Sequence, residues 1–204
     1  MKYFASIFKA PAGLLAVFIL AAALRLVGIT WGIPTAEIPH APFHYDENSF
    51  TMAHLQQMNP AHGDFNPEGA HTEGTLMYYV WEIAAAGMKG LNILHALPHP
   101  GVPYGDPDYG RMLLAGRLVI VLFDLVTIGL IYLILATITG SRPTALLGAL
   151  LYALIPFEVI HAHYMRPHVT GNFFVALIFY LGLRFYRPGI RETRLSILTG
   201  LVIG

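Results

Sequence analysis

The stretch GTLMYYVWEIAAAGMKGLNIL, residues 74–94, decides how the rest of the chain is read. It is nearly long enough for the ~20 residues a membrane-spanning helix needs, yet it carries Glu82, Lys89 and glycines at 74, 87 and 90. If it spans a membrane, Arg142 and the cluster Arg184, Arg187, Arg191 and Arg194 fall outside. That inverts the rule by which short cytoplasmic loops collect Lys and Arg. If it lies along the outer interface as an amphipathic helix, those arginines face the cytoplasm together with Lys2 and Lys9, and all ten histidines face outward. One assumption then satisfies every loop, and this is the topology expected.

The membrane setting follows from composition. Apolar residues make up 55% of the 204, charged residues 12%, and mean hydropathy is +0.57, values that soluble globular domains rarely show. Hydrophobic runs place spans at 10–33, 118–139, 143–160 and 169–185, with a further run opening at Leu195 and reaching Gly204. The first run continues well past Ala21-Ala22-Ala23, which favours an uncleaved anchor over a signal peptide. The expected architecture is an all-α polytopic membrane protein. Its 204 residues form a single transmembrane domain, incomplete at the C-terminus, with an outer loop over 34–108. The N-terminus is cytoplasmic, and a plasma (inner) membrane is the expected location.

Net charge is zero, but the zero hides a segregation. Between Trp31 and Asp108 nine acidic residues face one basic residue, Lys89, and seven of the ten histidines lie in the same stretch. No basic face suited to nucleic acid exists, so nucleic acid is not an expected partner. The absence of cysteine excludes disulfides and thiolate metal sites.

Chemistry is most concentrated at His44-Tyr45-Asp46-Glu47-Asn48, just beyond the exit of the first span. Carboxylates there can serve as general base, metal ligand or helix cap, and Asp46 opening a helix over 47–58 suits the capping role. The loop His161-Ala162-His163-Tyr164-Met165-Arg166-Pro167-His168 shares that face in the expected topology. Asp106-Pro107-Asp108 imitates a nucleotide-sugar motif but reads as a loop between proline and glycine. Asp124 lies inside a span, where a charge is expensive, and Thr127 one turn on is its expected partner. Glu158 and His161, at i, i+3 spacing, are a weaker pair.

The order of these motifs resembles a known family. Arg25 ends the first span; His44-Tyr45-Asp46-Glu47, Asn59-Pro60 and Glu73-Gly74-Thr75-Leu76-Met77-Tyr78-Tyr79 follow, then Gly116-Arg117 opening a span and Arg166-Pro167-His168 before another. The pattern is similar to the N-terminal part of the polyprenyl-phosphate-dependent membrane glycosyltransferases of the GT-C fold, which include protein O-mannosyltransferases and lipid A aminoarabinose transferases. The resemblance implies a GT-C-like transmembrane helix bundle with juxtamembrane helices in its first outer loop. It also implies inverting transfer of a sugar from a polyprenyl-phosphate carrier to a hydroxyl of an acceptor protein, lipid or glycan at the outer face. Asp46 then matches the general base, with Glu47 beside it.

Arg25, Arg117 and Arg166 become candidates for the departing phosphate, and His44, Tyr45, Glu73, Tyr78 and His168 for substrate contacts. Many relatives carry aspartate where this chain has His168; a histidine can instead bind a divalent metal or donate to phosphate, so a metal is a candidate cofactor, with no ligand set assigned. A non-catalytic transporter or lipid-carrier-binding scaffold is the alternative. It would be favoured by charges spread along a pore through several spans.

Overall fold

The computed structural model describes residues 12–40, 42–68, 74–95 and 102–185. Among the described residues the chain is mostly helical and contains no strand. In order come α1 (Ala12–Leu26), a π-helical turn (Glu47–Met52) running directly into α2 (Ala53–Leu55), a 3-10 turn (Pro60–His62), α3 (Leu76–Gly90), α4 (Pro107–Thr139), α5 (Arg142–Ala153), α6 (Pro156–His161) and α7 (His168–Phe185). Two of them, α4 and α7, are long and apolar enough to cross a membrane; α1 is a shorter apolar helix. The described residues fall into two compact units. The first holds those up to Val27, Val121–His161 and those from His168 onward; the second holds Gly28–Ile120 and Ala162–Pro167.

In the first unit α1 packs on α5 and α6, around a core of Leu14, Val17, Ala21, Ile128, Tyr132, Ala145, Ala149 and Ala153. The alanines at 145, 149 and 153 recur every four residues and so form one stripe along α5. Such small residues let helix backbones approach closely. Gly148 works the same way, because a Cβ there would run into the Leu135 side chain of α4. Leu15 and Ile19 of α1, Leu122 of α4, and Val175 and Phe179 of α7 stand exposed.

Helix ends differ from the hydropathy reading where local chemistry overrides apolarity. The run 10–33 is helical only to Leu26: Gly28, at φ +79°, takes the left-handed conformation that ends helices, and turns carry the chain through Gly32. The run 143–160 is two helices rather than one. Pro156 has no N–H to donate and its ring would clash with the carbonyl four residues back, so α5 stops at Ala153 and Pro156 opens α6. The run 118–139 belongs to a helix that begins eleven residues earlier. Asp106 accepts a hydrogen bond from the Asp108 amide at 2.8 Å with Pro107 between them, so Asp106-Pro107-Asp108 is a helix start and not a loop. Helix α7 coincides with the run 169–185. The run from Leu195, the arginines 187, 191 and 194, Lys2, Lys9 and Glu73 lie outside the described residues.

In the second unit α3 has fifteen residues, a rise of about 22 Å against the ~30 Å of a hydrocarbon core. It buries Met77, Tyr78, Trp81, Glu82 and Ala85 and exposes Leu76, Tyr79 and Ile83. Helix α2 packs on it.

Candidate functional site

The two carboxylates of the pair Asp46-Glu47 have opposite fates. A helical turn starts at Tyr45 and passes into the π-helix, in which the Ala53 amide reaches back five residues to the Asn48 carbonyl. Adjacent residues on a helix point about 100° apart, so one carboxylate can turn inward while the other stays at the surface. π-Helical turns are rare and are found disproportionately at functional sites.

Glu47 is fully buried. Its Oε1 accepts from Arg117 Nε at 2.9 Å and from the Met165 amide at 2.7 Å, and its Oε2 accepts from Arg117 Nη2 at 2.7 Å. Arg117 Nη1 donates to the carbonyls of Ile29 and Trp31 at 2.6 and 2.8 Å. Four guanidinium donor contacts are thus made inside the protein, and the pair is a two-pronged, fully desolvated lock. It ties together the turn after α1, the π-helix, the N-terminal third of α4 and the loop before α7. Gly116 makes it possible, because a Cβ there would collide with the Met165 side chain.

Asp46 is different. It makes no side-chain cap bond, so the capping role expected from its position is not the one it plays. Its side chain is 35% exposed, and Oδ2 lies 3.4 Å from Arg166 Nη2. The Arg166 guanidinium sits over the Phe50 ring at 5.8 Å, and that of Arg117 over Tyr164 at 5.9 Å. The His44 ring lies 4.1 Å from Tyr164, and its Nδ1 is buried without a hydrogen-bond partner among the described residues. Tyr45 is largely exposed beside them. The run 44–47 and residues 164–166, more than a hundred positions apart, therefore meet in the second unit.

Other candidates lie elsewhere. Arg25 is completely buried in the first unit, where it pairs with Asp124 and donates to the carbonyls of Ala21 (3.3 Å) and Ala153 (3.0 Å). Asp124 thus finds its partner in Arg25 and not in Thr127, whose hydroxyl donates to the Phe123 carbonyl at 2.8 Å. Glu158 accepts from Tyr152 and Asn172 rather than sharing a ligand with His161. His168 belongs to the first unit with its ring 5.6 Å from that of His161, and Tyr78 is buried on α3. Among the described residues no group of three or more His, Asp or Glu side chains is gathered as a metal ion would require.

Sequence reasoning did not find Phe50, Tyr164 and the Met165 amide as parts of this site. Gly116 directly before Arg117 was the available signal, since a glycine inside a long apolar helix marks a close approach. Comparison of the chain with family models, curated proteins and solved structures finds no match.

Proposed function

We propose that the chain is, or is part of, a membrane glycosyltransferase that moves a sugar from a polyprenyl-phosphate carrier to an acceptor hydroxyl, with Asp46 as general base. The observation that carries this reading is the asymmetry of the carboxylate pair: Glu47 is buried and fully bonded, while Asp46 is partly open and faces Arg166 at 3.4 Å. A base and a phosphate-binding cation side by side are what transfer from a phosphate ester to an alcohol needs. The acceptor oxygen attacks the anomeric carbon and gives its proton to Asp46. The bond from that carbon to the phosphate oxygen breaks, and its electron pair leaves with the lipid phosphate. Backside attack inverts the anomeric centre.

Arg166 is the arginine assigned to the departing phosphate, because a guanidinium has five donors and can serve a carboxylate and a phosphate together. Glu47 and Arg117 are assigned to positioning, and Arg25 to the interior of the first unit. The bilayer setting draws on the two long apolar helices and on the exposed leucine, isoleucine and phenylalanine along them. In that setting α3 lies along the outer interface.

A second reading, a non-catalytic transporter or lipid-carrier scaffold, draws on the polar residues Arg25, Asp124, Tyr152, Glu158 and Asn172 bonded to one another inside the first unit. Asp46→Asn separates the two. It keeps size and shape but removes the proton acceptor, so sugar transfer should fall by ~10²-fold or more with unchanged melting temperature. Undiminished transfer in that variant would remove the residue on which the enzymatic reading rests.

A further inference from the structure

One turn beyond Asp46 the same helical segment enters a second polar region. Thr51 is completely buried, and its Oγ1 has no hydrogen-bond partner among the described residues. The same holds for Nδ1 of His54, Nε1 of the completely buried Trp81, and Oε1 of Glu82, which is 6% exposed. The four side chains come from two elements packed on each other, α2 with its π-helical lead-in and α3. Rings join them: Phe50 to His54 at 6.4 Å, His54 edge-on to Tyr78 at 6.1 Å, and Tyr78 edge-on to Trp81 at 5.5 Å. On α3, Tyr78, Trp81 and Glu82 stand at i, i+3 and i+4, one face of the helix.

A buried polar atom without a partner is costly, roughly 1–3 kcal/mol each, and native interiors contain few of them. Four on two elements packed on each other indicate a site for something polar. Its chemistry follows from the atoms. The indole N–H is only a donor, the carboxyl oxygen is an acceptor, and hydroxyl and imidazole can be either. A simple cation would meet the indole donor, and an anion would meet the carboxyl group. A neutral molecule bearing several hydroxyls satisfies all four, since each hydroxyl both donates and accepts. The joined aromatic rings on the same two elements suit the C–H faces of a saturated ring.

We propose that Thr51, His54, Tyr78, Trp81 and Glu82 form a subsite for the ring of a neutral sugar, on the segment that carries Asp46. The assignment rests on the glycosyl-transfer reading and names where the sugar is held. Asp46 and Arg166 act at the anomeric centre and the phosphate, while the α2–α3 contact recognises the ring hydroxyls.

The chain offers its own probe, because Trp31 and Trp81 are the two tryptophans in it. Trp31→Phe, at an exposed position, leaves Trp81 as the sole indole emitter. The full chain carrying Trp31→Phe and Asp46→Asn, so that no transfer interferes, is titrated with methyl glycosides of mannose, glucose and arabinose up to about 0.1 M, where even a millimolar site saturates. Glycerol is the acyclic control.

At least one glycoside should change Trp81 emission saturably and glycerol should not. Thr51→Val and Glu82→Gln, each checked to melt no lower than the parent, should weaken that binding about tenfold. No saturable response to any glycoside, or equal affinity in both variants, overturns the subsite. Should transfer still depend on Asp46 in that case, the enzymatic reading survives without it. A Trp81 response in a chain whose transfer ignores Asp46 would do the reverse, leaving a sugar-binding protein.

Discussion

Replacing Glu82 by glutamine should stabilise the protein above neutral pH and leave it nearly unchanged near pH 4. Burial pushes the Glu82 carboxyl from 4.5 to about 7, and among the described residues its Oε1 has no hydrogen-bond partner that would offset the lost solvation of a charge. The folded-state value is raised above the unfolded one, so the protonated group's contribution is complete below pH 4.5. It is lost progressively as pH rises through about 7. Above that the folded protein carries a buried carboxylate, and the shift corresponds to a penalty of at most about 3 kcal/mol.

Glutamine has the same shape and never ionises, so the stability difference between variant and parent should grow from near zero at pH 4 to one or a few kcal/mol at pH 8. His54 is the titratable neighbour through Tyr78. Unfolding of both proteins in one detergent, followed from pH 4 to pH 9, tests this. Parallel curves would show that the carboxylate is solvated or paired. A glutamine variant less stable than its parent at pH 8 would show that Glu82 holds a positive partner, which would also remove it from any neutral-sugar site.

Glu47→Gln should destabilise the second unit by about 3–5 kcal/mol, because Arg117 is left buried with two carbonyls and no counter-charge; thermal unfolding measures it, and a change under 1 kcal/mol would mean the pair is not desolvated. Gly116→Ala should lose about 1–3 kcal/mol by driving Met165 off Glu47, and Met165→Ala in the same chain should restore part of it; no rescue would disprove the close approach. Asp124→Asn should destabilise by a comparable 3–5 kcal/mol through the orphaned Arg25 while leaving the parent's pH profile of transfer unaltered, which a pH–rate comparison checks.

The helices were legible because hydropathy measures how much of a segment is apolar, and that signal is the same whether the surroundings are lipid or protein. The N-terminal third of α4 and the ends of α1 and α5 were not, because each depends on one residue rather than an average: Asp106 as a cap, Gly28 in the left-handed region, Pro156 without its N–H. The interfacial placement of residues 74–94 came from charges outside that stretch. The fifteen-residue length of α3 is compatible with it, although Glu82 lies on the buried side, where an amphipathic pattern puts apolar groups.

At the site the sequence could show that two carboxylates stand together and could not show which of them faces inward. That choice depends on Arg117, seventy residues away, and on the Met165 amide beyond it. Once Glu47 is bonded on both oxygens, its neighbour one residue back is turned to another side and is left with Arg166 and solvent. The buried carboxylate therefore fixes the orientation of the exposed one, and a glutamine at 47 should disturb Asp46 chemistry without touching it. On the glycosyl-transfer reading, transfer in Glu47→Gln should fall through misplacement, with the pH dependence of the residual activity kept, whereas Asp46→Asn, without its proton acceptor, should lose it. An identical loss of pH dependence in both variants would assign Glu47 a direct share in the proton transfer.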